Sequence, residues 1–371
     1  MARLNLPLQL SPVFKPKIWG REDLSPLFSC AGKPAGARGA PATPGRQRIG
    51  EAWITDDESQ FLNGPVAGRT LAEVSAELGP ELNGRRWSEA RFPILGKYIF
   101  TSDWLSVQVH PDDEQARVYD PGSPGKCEAW YILRAERGGR ILLGARPGVT
   151  KDQLRAAFAR GASRGLLTEF KPRAGETVFV PPGTIHALGP GLVLFEVEEN
   201  SDLTYRLDDF GRVGLDGKPR PLHLDKGLDV LRLDAPPLRD LARVEFSEPF
   251  GKRRIAAACR YFALEVWTVR RLARLEGNPE RVEVFSILEG EGRVENEAGW
   301  MRFEPGDTWL IPPEAEAFRL IPHDEVVRLL RFYVPDLDRD LREPLKKKGV
   351  KKSKLEKVLF DQEPNGAQSG L

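Results

Sequence analysis

The chain has 371 residues, enough for two domains of ordinary size, and its 40% hydrophobic and 29% charged residues make a normal globular composition. Lysine and arginine number 55 against 54 acids, so the formal charge of +1 supplies no general field for nucleic acid or an anionic membrane. No apolar run approaches the roughly 18 residues of a membrane span, residues 1–20 lack a leader's apolar stretch, and Cys30, Cys127 and Cys259 have no CxxC spacing, which together fit a reduced cytoplasm.

Residues 31–48, AGKPAGARGAPATPGRQR, hold almost no apolar side chain larger than alanine and are expected to form a mobile loop. Helical spacing follows at Arg69 to Leu78, RTLAEVSAEL, and returns at Thr150 to Arg160, TKDQLRAAFAR, where Thr150 is a candidate N-cap. Elsewhere short apolar stretches such as WLSVQVH, EAWYILR, TVFVPP and LVLFEVE lie between 36 glycines and 31 prolines, which predicts a mainly β protein with helical insertions. Residues 174–187, AGETVFVPPGTIHA, align without gaps on 305–318, PGDTWLIPPEAEAF, and EAWYIL at 128–133 aligns on EVFSIL at 283–288. Such a repeat of glycine-punctuated strands predicts two jelly-roll β-barrels. The basic run KKKGVKKSKLEK at 346–357 is expected to be a solvated, dispensable terminus rather than a nucleic-acid contact.

In DWLSVQVHPDD, residues 103–113, side chains alternate between faces, so Gln108 and His110 point one way and Val107 and Val109 the other. The same parity in GKCEAWYIL puts Lys126, Glu128 and Trp130 together, with Cys127 opposite. Charged groups on the inward face of an apolar strand are costly unless something inside uses them. A divalent cation is such a use, and imidazole nitrogen, carboxylate oxygen and amide oxygen are suitable donors. His186, in VPPGTIHAL, adds a second imidazole, so Gln108, His110, Glu128 and His186 form a candidate set that leaves a net positive, Lewis-acidic centre. A lone histidine at a strand end is more often a hydrogen-bonded or surface residue than a ligand; the combination carries the reading. In the second repeat Ala317 matches His186 and Glu283 matches Glu128, so the second unit is read as structural. His323 is expected on a surface loop, and His223, in RPLHLDKGL, at an interdomain connection.

With these residues assembled, the sequence resembles the type I mannose-6-phosphate isomerases (phosphomannose isomerases) of the short bacterial form, within the cupin superfamily. The matching blocks include PKIWG at 16–20, GEAW at 50–53, NGPVAGRTLAE at 63–73, FPILGKYI, QVHPDD, GKCEAWYIL, VPPGTIHAL, EVEENSDLTYRLDDFGR and PLHLDKGLDV, and span about residues 6–230. The resemblance implies two cupin-like (jelly-roll) β-barrels, metal ligands at Gln108, His110, Glu128 and His186, one divalent ion, usually zinc, and an active-site arginine at Arg206. The domains expected are a metal-binding first cupin with helical insertions, 1–235, a degenerate second cupin, 236–340, and a basic flexible tail, 341–371. Ile54 departs from the glutamate that many relatives carry after the GE[SA]W tryptophan, and the loop at 31–48 is longer than usual.

The activity implied is interconversion of mannose 6-phosphate and fructose 6-phosphate, which moves a proton between C1 and C2 through a cis-enediol. It needs a base, stabilisation of charge on two oxygens and a phosphate anchor. Arg206, always charged and able to bind bidentately, suits the enediolate or the phosphate. Lys126 shares a face with Glu128, where a metal's charge would depress its pKa, and is a candidate phosphate anchor or acid–base group. Glu196 is a further acid–base or structural candidate, and the base itself stays unassigned. The expected partner is a small sugar phosphate, with no nucleic acid and no membrane; the oligomeric state is open. Two rivals use similar residues: a bicupin dioxygenase with iron, which has no need of Lys126 and Arg206, and a non-catalytic sugar-binding cupin, which has no need of an intact ligand set.

Overall fold

The computed structural model describes residues 4–28, 48–234, 239 and 241–360. The loop expected at 31–48 lies outside them apart from Arg48. Short strands with one apolar face need a second sheet to cover it, and in the first half two antiparallel sheets do this. The larger runs in the order Val13–Arg21, Ile49–Trp53, Ile94–Phe100, Leu192–Glu199, Glu128–Ala135, Thr177–Val180. The smaller runs Tyr205–Asp208, Val107–Val109, His186–Leu188, Ile141–Ala145, Leu167–Phe170. Ile99, Trp130, Val178 and Leu194 of the larger sheet meet Ile141, Leu143 and Leu188 of the smaller in one buried cluster, which makes the pair a sandwich.

The second half repeats the layout. Its larger sheet includes, in order, Leu8–Leu10, Thr308–Ile311, Glu283–Glu289, Val327–Tyr333, Ala263–Val269, Gly251–Cys259 and Val244–Glu248. The smaller runs Ala273–Leu275, Phe318–Pro322, Gly292–Asn296, Gly299–Phe303, and Trp267, Phe285, Trp309 and Leu329 pack against its Val294, Phe303, Phe318 and Leu320. The protein is mainly β, as predicted. Pairing among the described residues does not run round from one sheet edge to the other, so the sheets are open and the closed β-barrels predicted from the repeat are not formed. The expected first domain, 1–235, also needs correction at its start. Leu8–Leu10 pairs with Thr308–Ile311 and so belongs to the second half's sheet.

The halves meet through the outer faces of their larger sheets, where Tyr98, Phe100, Phe195 and Val197 share a core with Leu264, Val284, Leu330 and Phe332. Gly96 permits this approach, since a Cβ there would lie 2.7 Å from Phe332 Cζ. The Tyr98 and Ser286 hydroxyls hydrogen-bond across the seam at 2.6 Å. Both predicted helices are present: Thr70 caps Leu71–Leu78 and Thr150 caps Lys151–Phe158, each in a reciprocal capping box. No described helix is long and apolar enough to cross a membrane.

Residues 341–360 differ from the flexible tail expected at 341–371, of which 361–371 lie outside the described residues. Leu341, Leu345, Leu355, Val358 and Leu359 are buried against Val244, Ile255, Ala258 and Tyr333. Leu359–Phe360 adds a parallel strand to Gly251–Cys259, and Phe360 stacks on Phe179 of the first half with ring centroids 4.0 Å apart. The lysines of the run are exposed, as a solvated face requires, but the apolar residues spaced among them anchor the chain.

Candidate metal centre

The strand Val107–Val109 lies between His186–Leu188 and Tyr205–Asp208, and Gln108 faces His186 on one side and Arg206 on the other. Cross-strand partners share a face of the sheet, so these three side chains emerge together. Pro111 cannot continue the strand ladder. Asp112 then caps the helix Asp113–Tyr119, accepting from the Gln115 N–H at 2.8 Å, and pairs with Arg232 at 2.6 Å. The QVHPDD block thereby fixes His110 at a strand end. Gly183, with φ +81°, donates its N–H to the His110 carbonyl at 2.8 Å, and a Cβ there would lie 2.7 Å from Arg232 Cγ. The turn that delivers His186 therefore requires glycine.

His110, Glu128 and His186 are buried, with ligand atoms within 4.8 Å of one another. His186 Nε2 is 3.2 Å from Glu128 Oε1, His110 Nε2 is 3.6 Å from Glu128 Oε2, and the Gln108 amide nitrogen is 3.1 Å from His186 Nε2. Each Nδ1 lies 2.9 Å from a carbonyl oxygen, of Leu203 for His110 and of Thr184 for His186. A carbonyl only accepts, so each Nδ1 carries the proton and each Nε2 turns a lone pair inward. His110 Nε2 and both Glu128 oxygens are buried with no hydrogen-bond partner among the described residues. Orphaned acceptors cost about 1–3 kcal/mol each, and a cation relieves all of them at once. Two imidazoles, a carboxylate and an amide that presents its oxygen on a turn of the terminal group fit a zinc-type ion. Burial lowers His186 to about 4, and burial with the Lys126 and His186 charges holds His110 well below its usual value, so both are neutral at pH 7, as ligands must be. Burial and Glu196 push Glu128 up to about 8; a cation would favour its ionised form.

Two lysines adjoin this cluster. Lys126 Nζ is 2.8 Å from Glu198 Oε2 and 3.4 Å from Glu128 Oε2; Lys97 Nζ is 2.8 Å from Glu196 Oε1 and 3.0 Å from Glu198 Oε1. Burial works against the Lys126 ammonium, but Glu198, Glu128 and Glu196 outweigh it and hold its pKa above the usual value. The depression expected for Lys126 is an effect of a bound cation's charge, which would act against these carboxylates. Burial would raise Glu196, yet Lys97 and Lys126 hold it well below the usual carboxylate range, and Trp130 Nε1 donates to its Oε2 at 2.7 Å. Lys97 and Glu198 were not read from the sequence as site residues. Their signal was a lone lysine in the apolar run ILGKYIF and a second glutamate two residues after Glu196 in LVLFEVEE, which puts it on the same strand face.

Arg206 stands apart from the lysine–carboxylate cluster. It is half-buried, donates from Nη1 to the Pro221 carbonyl at 3.0 Å, and has no hydrogen-bond partner for its buried Nε among the described residues. Burial, then Arg220, lowers its pKa; Arg220 and Arg212 are both paired to Asp209. His223 is not part of the metal cluster. Its Nδ1 accepts the Arg206 N–H at 3.1 Å, so it pins the Arg206 strand rather than an interdomain connection. His323 is exposed, as expected.

The second half carries the same positions with the charges reversed. Glu196 faces Trp130 and Lys97; at the corresponding places Arg331 faces Phe285 and Glu265. Glu51, opposite Ile99 on the next strand, is matched by Arg253 opposite Trp267. Glu51, Lys97 and Glu196 thus become Arg253, Glu265 and Arg331. Glu283, the counterpart of Glu128, is clamped by Arg331 at 2.5 Å and Arg281 at 3.0 Å. Burial would raise it, but the arginines hold it below the usual range. With Ala317 in place of the second imidazole, a cavity of about 420 Å³ lined in part by Trp267, Glu283, Phe285, Ala317 and Arg331 remains, without orphaned buried carboxylate oxygens among the described residues.

Residues 8–128 match the family model for the catalytic domain of type I phosphomannose isomerase, and residues 253–329 match that for the mannose-6-phosphate isomerase cupin domain. Mannose-6-phosphate isomerase ManA of Bacillus subtilis (strain 168) is 33% identical over 328 residues, 86% of this chain and 98% of its own. A crystal structure of the mannose 6-phosphate isomerase from Bacillus subtilis superposes with a TM-score of 0.77 at 29% identity, covering 88% of this chain and 99% of that one. A zinc-bound mannose 6-phosphate isomerase shares the fold with a TM-score of 0.68 at 16% identity, covering 88% and 99%. The relation runs through both halves, and the chain belongs to the type I phosphomannose isomerase family.

Proposed function

We propose that this chain interconverts mannose 6-phosphate and fructose 6-phosphate in the cytoplasm with one divalent ion, zinc, held by Gln108, His110, Glu128 and His186. The observation that carries this reading is the set of buried acceptors on His110 and Glu128 that make no hydrogen bond among the described residues, beside His186 and two buried ammonium groups. Bound there, the ion supplies Lewis acidity toward the sugar oxygens on C1 and C2. Lys126, ion-paired to Glu198, donates a hydrogen bond to a sugar oxygen as negative charge grows on it. Glu196 has Oε1 on Lys97 and Oε2 on Trp130, which favours a positioning role for the two lysines over proton abstraction. Arg206, on the face shared with Gln108 and with an unused Nε, binds the enediolate, and the neighbouring Arg212 and Arg220 supply the field for the phosphate.

A coupled assay of mannose 6-phosphate conversion, run with and without chelator and beside an oxygen electrode, tests the reading. Turnover that stops on chelation, returns with zinc and consumes no oxygen is expected. Oxygen uptake would instead indicate a dioxygenase, and bound metal without turnover a sugar-binding protein.

A further inference from the structure

Between the two halves lies a pair of thiols with no part in the chemistry above. Cys127 immediately precedes Glu128–Ala135 of the first half, and Cys259 closes Gly251–Cys259 of the second. Strand alternation turns Cys127 away from Lys126 and Glu128 and into the core that the halves share, where both cysteines are buried. Their sulfurs are 3.9 Å apart. A disulfide needs about 2.0 Å, so rotation about the side-chain torsions has to close a gap of about 2 Å. Both backbones are held: the Cys127 carbonyl accepts the Glu199 N–H at 3.1 Å, and the Cys259 N–H donates to Phe262 O at 2.8 Å. A cavity of about 360 Å³ is lined in part by Glu199, whose N–H bonds the Cys127 carbonyl, and by Arg260, next to Cys259; neither cysteine lines it, so a small oxidant reaches the buried pair only through local opening of the fold.

We propose that Cys127 and Cys259 are an oxidation site, at which a peroxide converts the two thiols into a disulfide that staples the halves together. One sulfur attacks a peroxide oxygen, the O–O bond breaks, and a sulfenic acid and one water result. The second thiol then displaces the sulfenic oxygen as a second water while the S–S bond forms. Two electrons pass from the thiol pair to hydrogen peroxide, and both thiol protons leave in the waters. Burial keeps thiolate scarce, so the conversion is slow. The bond closes the long loop between the two cysteines, and such closure restricts the unfolded chain most when the loop is long.

The test uses the full chain with Cys30→Ser, exposed to hydrogen peroxide under native conditions. Peptide mapping is expected to show Cys127 joined to Cys259, with both thiols lost together. The oxidised protein is expected to melt about 5 °C higher than the reduced one, and dithiothreitol should reverse the shift. Cys259→Ser, or Cys259→Ala if the serine does not fold, should show no such rise and should leave a trappable sulfenic acid on Cys127. The proposal is overturned if both thiols stay reduced under oxidation that converts them in urea, or if the linked form melts no higher. Neither readout depends on isomerase activity.

Discussion

Lys97 sits where a single charge holds two acids. Its ammonium lies within 3.0 Å of both Glu196 and Glu198, in a strand buried along its whole length. Lys97→Met keeps the bulk but leaves those carboxylates Lys126 as their one paired cation among the described residues, and breaking a buried pair in this way costs about 3–5 kcal/mol. Urea unfolding should show that loss; an unchanged midpoint would mean the pairs contribute little. Arg206→Lys asks a different question, because it keeps the charge and loses the planar fork. An arginine that binds the enediolate should lose roughly 10²-fold in kcat with KM less affected. A raised KM at near wild-type kcat would instead make Arg206 a phosphate anchor. Gln108, His110 and Glu128 were legible because strand parity puts them on inward faces. Lys97 was not, because a lone lysine in ILGKYIF acquires meaning only when Glu196 and Glu198 of another strand face it.

At the scale of elements, two short turns set the candidate ligands. Asp112 stops the His110 strand by capping a helix, and Gly183 ties the His186 turn to the His110 carbonyl. Gly183→Ala forces a side chain into positive φ and within 2.7 Å of Arg232, a strain of about 1–3 kcal/mol. We expect zinc affinity to fall about tenfold through the displaced His186, measured by chelator competition; unchanged affinity would show that the turn does not set the ligand. The capping boxes at Thr70 and Thr150 were readable from local spacing alone. The C-terminal segment was misread because its lysines outnumber the leucines that anchor it. Leu345, Leu355, Val358 and Leu359 have no regular period, and their burial depends on a sheet surface a hundred residues earlier in the chain, at Ile255 and Ala258.

Across the whole molecule, one β sandwich has been used twice with opposite signs. The first half surrounds its orphaned acceptors with lysines, and the second pairs the matching Glu283 with arginines, which satisfy that buried carboxylate. The repeat was legible in the aligned segments around residues 174 and 305, and so was the lost imidazole at Ala317. The open sheets, the N-terminal strand donated to the second half and the reversed charges were not, since each depends on strand pairing over long sequence separations. Truncation after Pro344 removes four buried aliphatic side chains and the parallel strand at Leu359–Phe360. At about 1.5–3 kcal/mol for each such side chain, less what the shortened chain recovers by relaxation, we expect a loss of at least about 4 kcal/mol. A thermal melt equal to that of the intact protein would show that the segment is dispensable after all.

The role of the buried His110–Glu128–His186 cluster is tested most directly by measuring bound zinc and mannose 6-phosphate turnover on the same samples of wild type and His186→Ala. Removing one imidazole from a set of buried acceptors that make no hydrogen bond among the described residues should empty the site and abolish turnover, while circular dichroism shows the β fold retained. Wild-type protein stripped of metal should be equally inactive and recover in proportion to the zinc restored. Undiminished isomerisation by verified metal-free protein, or by a His186→Ala variant that holds no metal, would contradict the assignment.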